Sequence, residues 1–511
     1  MSRTLILVCL AGSLAIMESG CGNRVSTPSQ PTLSIMTTSL ADGTLLFPYT
    51  QTIQASGGVS PFTWAVSLGN LPHGVVLGSG STSSITISGT PDTAQTVTFT
   101  IQLADAKNQS ASHSYSVSIK TSGSAQLQEV QGQAPAGTIE IQGLTAANFN
   151  PDYWQKDTLN WVPDVRQPMF AAQQTGFYQN IYAPWPLRQL NGWRMFYGGW
   201  DGQDVPFDQI YSATTSDFLT FGNRDHIIAN GAFLNVNNVN VQQLLDGSLH
   251  MICTGGQAGD VFTKPVYFSS SDGTTWDGVP EPYAAQLTDV ISIQGYAGFD
   301  RGNFNGANVL LNDNEEWVLY FKDWNDFHTI YRATAATLPN FHLQGVALKT
   351  DHLVNDVKKF VLNGTSWYLM GLHFNDQSLR YSLSNDGVSF DNERTLLTNL
   401  SAQDLNIVAL GFVTRGNQVL GVLYGAGAVP SLDQNQIFAR WLQKKIVITD
   451  SPGTQYSPQG GYGPDRQWFA MPQSLTGTIA VYADDGVTPL AAGTVTLSPG
   501  KAYQLVLSGG G

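Results

Sequence analysis

Residues 247–276 read GSLHMICTGGQAGDVFTKPVYFSSSDGTTW. The stretch follows a turn at Asp246-Gly247, runs into an apolar strand, and returns through a second strand carrying Tyr267. That strand leads into Asp272-Gly273, a turn, and then Trp276. Asp-Gly pairs set turns, and the aromatic and apolar runs between them favour extended backbone.

The same pair of strands recurs along the chain. Apolar strands after turns read GWRMFYGGW from Gly192, EEWVLYFKDW from Glu315, TSWYLMGLHF from Thr365 and NQVLGVLYGA from Asn417. Their aromatic-bearing partners read IYSATTSDFLTF from Ile210, IYRATAATLPNF from Ile330, LRYSLSNDGVSF from Leu379 and IFARWLQ from Ile437. Together with Val266, these starts are spaced 49 to 64 residues apart. Five such units of about four strands each predict a five-bladed β-propeller over residues 159–450.

Composition agrees with an all-β class. The 511 residues are 42% hydrophobic and 11% aromatic, enough to bury several cores. Only 12% are charged, and small polar residues that suit short strands and turns fill the difference. A formal net charge of −14 argues against nucleic acid, whose phosphates demand a basic face. An uncharged ligand fits it.

The first 21 residues read as a secretory signal, with Arg3, an apolar run from Leu5 to Met17, and Ser19-Gly20 before Cys21. The small pair before a cysteine resembles a bacterial lipoprotein cleavage site, which makes Cys21 a lipidation site. Glu18 departs from that pattern, and ordinary cleavage nearby is the alternative. The reading is an exported protein at the cell surface or in the periplasm, touching membrane only through a lipid anchor. Residues 31–120 show about seven short strands at sandwich spacing without a cysteine pair. Their pieces Ser56-Gly57-Gly58, Pro61-Phe62-Thr63-Trp64, Leu71-Pro72-His73-Gly74 and Ser88-Gly89-Thr90-Pro91 resemble the immunoglobulin-like domains of bacterial surface proteins. Such modules are spacers or adhesive units, which makes His73 and Asp105 structural. A Ser/Gly/Gln/Ala-rich linker is expected over 121–158, and a small accessory β-domain over 451–511.

Within the repeats, Ser269-Ser270-Ser271-Asp272-Gly273-Thr274-Thr275-Trp276 and Ser382-Leu383-Ser384-Asn385-Asp386-Gly387-Val388-Ser389-Phe390 resemble motifs of five-bladed glycoside hydrolases: arabinanases, β-xylosidases and the invertase group. The motif is a turn with aromatic packing, so Asp272 and Asp386 are structural. What the resemblance implies is a carbohydrate ligand at the propeller axis.

One feature of the expected innermost strands is unusual. FLNVNNVNV, residues 233–241, alternates Asn with Val, although Asn is depleted in strands because its amide competes for backbone hydrogen bonds. Aligning the units puts Asn180, Asn238, Asn305, Asn355 and Asn406 at comparable strand starts, with Asn240 nearby. A ring of amides offers donors and acceptors without charge, as sugar hydroxyls require. The alternative is that they cap or bulge the strand starts.

Glycosidic hydrolysis normally takes two carboxyl groups. The resembled hydrolases place an acid at the start of the first inner strand, where this chain has Tyr182-Ala183-Pro184. The candidate carboxyls lie later: Asp356 beside Lys358, then Asp300 and Asp404. Tyr182, Trp185, Trp200, Trp324, Arg301 and His373 are further candidates to contact a sugar, by stacking or hydrogen bonding. No phosphate loop, nucleophile elbow or metal-ligand spacing is present, so no cofactor and no metal is expected. The functional expectation is a monomeric glycoside hydrolase. A non-catalytic glycan-binding protein is the first alternative, and a phosphorylase using Arg301, Lys358 and Lys359 for phosphate the second.

Overall fold

The computed structural model describes residues 32–508 except 157, 175–178, 203–206, 257–262, 307 and 430–433. The signal segment, Cys21 and the tether to residue 31 lie outside the described residues. Among the described residues strands dominate, and the one α-helix is the four-residue Pro151–Trp154. The chain divides into two compact units, Met1–Gly43 with Pro48–Lys120, and Thr44–Phe47 with Thr121–Gly511.

In the first unit, Tyr49–Ser56 pairs with Ser84–Gly89 in one sheet, while Gln95–Ala104 lies between Thr63–Gly69 and Ser110–Lys120 in another. Side chains alternate as a strand with one buried face requires: Phe99, Ile101 and Leu103 are buried, as are Tyr115, Val117 and Ile119. Asp105 accepts from the backbone N–H groups of Val59, Lys107 and Gln109 at 2.8–2.9 Å. It organises a turn, as the sequence implies.

The second unit contains a nine-stranded sheet that corrects two expected boundaries. Residues 121–158 are not a linker. Gly123–Gln133 pairs along its length with Lys501–Ser508, and Thr138–Gln142 lies between Lys501–Ser508 and Arg466–Ala470. The low-complexity composition masks a period-two pattern in which Ala125 and Ile139, Ile141 face a shared core with Ile446, Ile448 and Val495. Lys445–Asp450 also belongs to this sheet, paired with Leu475–Tyr482. The C-terminal domain therefore begins before residue 451 and includes a segment from before the repeats.

Between these flanks, among the described residues, stand five successive sheets of three or more strands, antiparallel except for the edge pairs Ile228 with Tyr283 and Ile293 with Phe341. Their first three strands are, in order, Ile181–Gln189, Gly192–Gly199 and Gln209–Thr215; Asn235–Gln243, Leu249–Gly256 and Thr263–Ser270; Asn308–Asp313, Glu316–Lys322 and Thr329–Ala335; Leu353–Leu362, Thr365–His373 and Ser378–Ser384; Asn406–Arg415, Gln418–Gly427 and Gln436–Leu442. The first strand of each sheet touches that of the next, and the fifth touches the first. The sheets thus form a closed cycle. The fifth is completed by Trp161–Pro163, which precedes the first sheet in sequence and pairs with Gln436–Leu442.

Each neighbouring pair of sheets shares an apolar core, and the fifth shares one with the first. Trp185 and Phe196 share a core with Met251 and Phe268; Ile252 shares one with Leu319 and Phe321, Tyr320 with Met370, Tyr381 with Phe412, and Trp441 with Trp193 and Tyr197. Strands buried on both faces explain why the second strands read as continuous apolar runs rather than alternating ones. Truncating one such aromatic to Ala costs about 3–5 kcal/mol.

The two Asp-Gly turns match in detail. Asp272 Oδ1 accepts from the backbone of Thr274 and Thr275, and Asp386 Oδ1 from Val388 and Ser389, at 2.7–3.0 Å. These bonds hold both carboxyls below the usual range. Trp276 is fully buried behind the first turn. Both aspartates serve the fold.

Candidate functional site

Among the described residues, four of the first strands carry a bulge near their start. Pairing with the second strand slips between Tyr182 and Trp185, Asn237 and Asn240, Val354 and Asp356, and Val408 and Leu410. Ala183, Asn238 and Ala409 have φ of 49°, 55° and 46° there. Asn tolerates this left-handed backbone better than other residues with a Cβ. Asn238 is therefore a bulge residue, and part of the Asn row is explained by backbone geometry.

The bulges surround a cavity of about 430 Å³ at the end of the ring where the first strands begin. Asn180 and Tyr182 enter it from the first sheet, and Asn235, Asn237 and Asn238 from the second. Asn305 and Gly306 precede the third sheet's first strand, and Leu353, Val408 and Ala409 complete the circle. Trp200, Gly256, Trp324, His373 and Asn375 contribute from the ends of second strands and just beyond. Amides and indoles predominate in the lining, with Tyr182, Asp208, Thr263 and His373 among them, and all five sheets contribute.

A hydrogen-bonded chain runs along one wall. The Tyr182 hydroxyl donates to Asp208 Oδ2 at 2.7 Å, and Asn237 Nδ2 donates to the same oxygen at 3.3 Å. Asn238 Nδ2 donates to Asn237 Oδ1 at 2.8 Å and approaches Asn305 Oδ1 at 3.5 Å. Across the cavity, Asn435 donates to Asn180 Oδ1 through both its backbone N–H and its amide, each at 3.1 Å. Among the described residues, Asp208 is the one carboxylate lining the cavity. Amides are thus fixed by one another, which orients them before any ligand arrives.

His373 is 3% exposed, and its Nδ1 has no hydrogen-bond partner. Burial pushes its pKa down to about 3, so the ring is neutral. It is a polar group facing the cavity without charge.

The sequence candidates divide accordingly. Asn180, Tyr182, Asn238, Asn305 and His373 line the cavity, with Trp200 and Trp324. Asn355 lies one step deeper, in a chamber of about 10 Å³ bounded also by Asn238 and Asn308, and donates to Gly306 O at 3.3 Å. Asn240 accepts from Leu310 N at 3.1 Å and ties neighbouring first strands together. Asn406 is buried, pairs in register with Gly427, and does not line the cavity.

The three expected carboxyls do not meet at the axis. Asp356 is fully buried and accepts from Phe412 N at 2.7 Å, with Lys358 at 3.2 Å. Burial raises its pKa to about 6. Lys358 Nζ lies 3.7 Å from the Trp185 ring centroid, so Lys358 and Trp185 belong to the interior with it. The extra residue at the Val354/Asp356 bulge changes which side chains face the cavity, and a reading without the bulge misplaces Asp356. Asp404 is buried beneath its own loop, accepting from Leu400 N and Ser401 N. Asp300 and Arg301 are exposed on the turn Phe299–Arg301, outside the cavity lining.

Asp208, Asn235, Asn237, Asn375, Asn435 and Thr263 were not among the candidates. A signal for two of them exists: Asp208-Gln209-Ile210-Tyr211 and Asn435-Gln436-Ile437-Phe438 precede third strands at equivalent positions. The internal repeat extends to those approaches as well as to the first strands.

Residues 30–120 match the family model described as "Putative Ig domain". Among solved structures, a glycosyl hydrolase from Bacteroides ovatus aligns with 58% of this chain and 96% of its own at 10% identity and a TM-score of 0.39. A β-1,2-mannobiose phosphorylase from Listeria innocua aligns with 56% and 97% at 9% identity and 0.39. A GH43 β-1,3-galactosidase aligns with 54% and 93% at 10% identity and 0.37. No curated protein matches the chain. At these similarities no activity passes from those proteins to this one.

Proposed function

We propose that the five cyclic sheets are a five-bladed β-propeller and that its axial cavity binds an uncharged sugar residue of a glycan. The observation that carries this is the lining itself: oriented amides, two indoles, a phenol and a neutral imidazole, with Asp208 its one carboxylate among the described residues. Amides supply both donors and acceptors, and indole faces cover the C–H faces of a sugar ring. The protein is exported and anchored through Cys21, acts as a monomer, and uses the immunoglobulin-like unit as a spacer.

Hydrolysis of the bound glycan is the second reading, favoured by Asp208 held by Tyr182 and Asn237 on the cavity wall. Asp208 replaces Asp356 as the carboxyl of that reading. The phosphorylase reading has less support, because Lys358 is interior, Lys359 pairs with Asp313, and Arg301 is exposed outside the cavity. A glycan array and a hydrolysis screen of the same purified protein test the proposal. Binding to at least one neutral glycan, weakened about tenfold or more by Asn237→Ala, supports it. Absence of binding across the array overturns it.

A further inference from the structure

We propose that the ligand extends beyond one sugar unit, and that Trp324, Phe327 and Phe374 form a ledge carrying the next unit outside the mouth. This rests on the reading of the cavity as a carbohydrate site.

Trp324 belongs to both places. It lines the cavity, and its Nε1 donates to Asn305 O at 2.8 Å, which fixes the plane of the indole. From it the rings step outward: Phe327 lies 5.6 Å away between centroids, and Phe374 a further 5.5 Å from Phe327. Phe374 is 37% exposed, although its neighbours His373 and Asn375 both line the cavity. A large apolar ring held at a polar mouth carries a hydration cost that an apolar ligand face relieves.

The ledge is held in place from below. Lys322 Nζ lies 4.7 Å from the Phe327 ring centroid and donates to Thr350 O and His352 O at 2.9 Å each. That one ammonium ties the third sheet to the segment entering the fourth, directly under the rings. Phe374 also abuts the His352 ring at 6.1 Å.

Three rings are far short of the roughly 800 Å² that each partner contributes to a stable protein interface. They suit one pyranose or furanose ring, whose C–H face stacks on an aromatic ring while its hydroxyls stay in water. Continuity with the cavity through Trp324 makes the occupant the same chain whose end the cavity holds.

The test compares chain lengths on the full protein by calorimetry. The probes are mannose, galactose, xylose and arabinose with their β- or α-linked di- and trisaccharides. For the series that binds, the trisaccharide should bind about tenfold more tightly than the monosaccharide. Phe374→Ala should remove that advantage while leaving monosaccharide affinity within twofold, and Phe374→Tyr should retain it. Equal affinity for mono- and trisaccharide, or a length advantage that survives Phe374→Ala, overturns the ledge and leaves the cavity reading standing. If the wild-type protein binds none of these probes and no glycan on the array, the cavity reading falls and the ledge with it.

Discussion

The Tyr182 hydroxyl and Asp208 Oδ2 are 2.7 Å apart, and the bond joins the start of a first strand to the approach of a third strand in the same sheet. Asn237, from the neighbouring sheet, shares the oxygen at 3.3 Å. A single carboxylate oxygen thereby aligns two cavity side chains from neighbouring sheets. Its removal is the most informative change available.

Asp208→Asn retains an acceptor for Tyr182 and removes the charge. The variant should fold as the parent and keep glycan binding within about tenfold. If the protein hydrolyses its ligand, turnover should fall by about 10²–10⁴-fold, since an amide cannot serve as acid or base. Binding retained, with turnover unchanged from the parent, excludes Asp208 from the chemistry.

His373 makes folding sensitive to acid. Its pKa is about 3 in the fold, against an ordinary 6.5 when unfolded. The unfolded chain therefore takes up a proton that the folded chain refuses. Its contribution is full above pH 6.5 and declines as pH falls, by about 2 kcal/mol at pH 5. Urea midpoints of His373→Gln and the parent between pH 5 and 8 should differ in slope accordingly. Parallel profiles would show that His373 is not the group responsible.

Asp356 acts in the opposite direction. Its pKa is about 6 in the fold and 3.8 unfolded, because burial disfavours the ionised carboxyl. The contribution is present below pH 4 and lost as pH rises to 6, by at most about 3 kcal/mol. Relative to the parent, Asp356→Asn should gain stability between pH 4 and 6. Asp356→Leu alone should cost about 3–5 kcal/mol by stranding Lys358, and the double change with Lys358→Met should cost less.

The bulge at Asn238 gives a backbone test. At φ 55°, Asn238→Gly should leave stability nearly unchanged, whereas Asn238→Ala should lose about 1 kcal/mol from backbone conformation. Both remove the amide from the cavity, so both should weaken binding equally. Unequal binding by the two variants would show that the backbone of the bulge, and not the amide alone, shapes the cavity.

Trimming the chain probes the corrected boundary. A fragment spanning 121–508 should unfold cooperatively. One beginning at residue 159 and keeping the C-terminus strips Lys501–Ser508 of both its neighbours, Gly123–Gln133 and Thr138–Gln142. Exposed edges of that kind associate with other chains, and the shorter fragment should aggregate on light scattering.

Much of this was legible because it is periodic. The starts at Ile210, Val266, Ile330, Leu379 and Ile437 all fall within or immediately beside third strands of the five sheets. The same alignment picked out Asn180, Asn238 and Asn305 of the cavity lining, but not Asn235, Asn237, Asn375 or Asn435. Asp356 was expected at the mouth, but a bulge inserts one residue without any local mark in VNDVKKF, and its carboxyl turns to the interior. Asp208 was missed because its partners, Tyr182 and Asn237, are brought to it only by folding. The strand at 123–133 was hidden by low-complexity residues whose partner is some 370 positions away.

Trp161–Pro163 pairs with Gln436–Leu442, so the cycle is fastened by segments made far apart in time. At roughly 5–20 residues per second of synthesis, the partner of Pro163 emerges some 15–55 seconds later. Until then the first sheet presents an unsatisfied face, including Trp193 and Tyr197, whose core neighbours Ile437 and Trp441 are made only near the end of the fifth sheet. Completion of the ring is thus a late event in the life of each chain. A molecule interrupted before residue 436 has four sheets that resemble the finished protein and no means of becoming it.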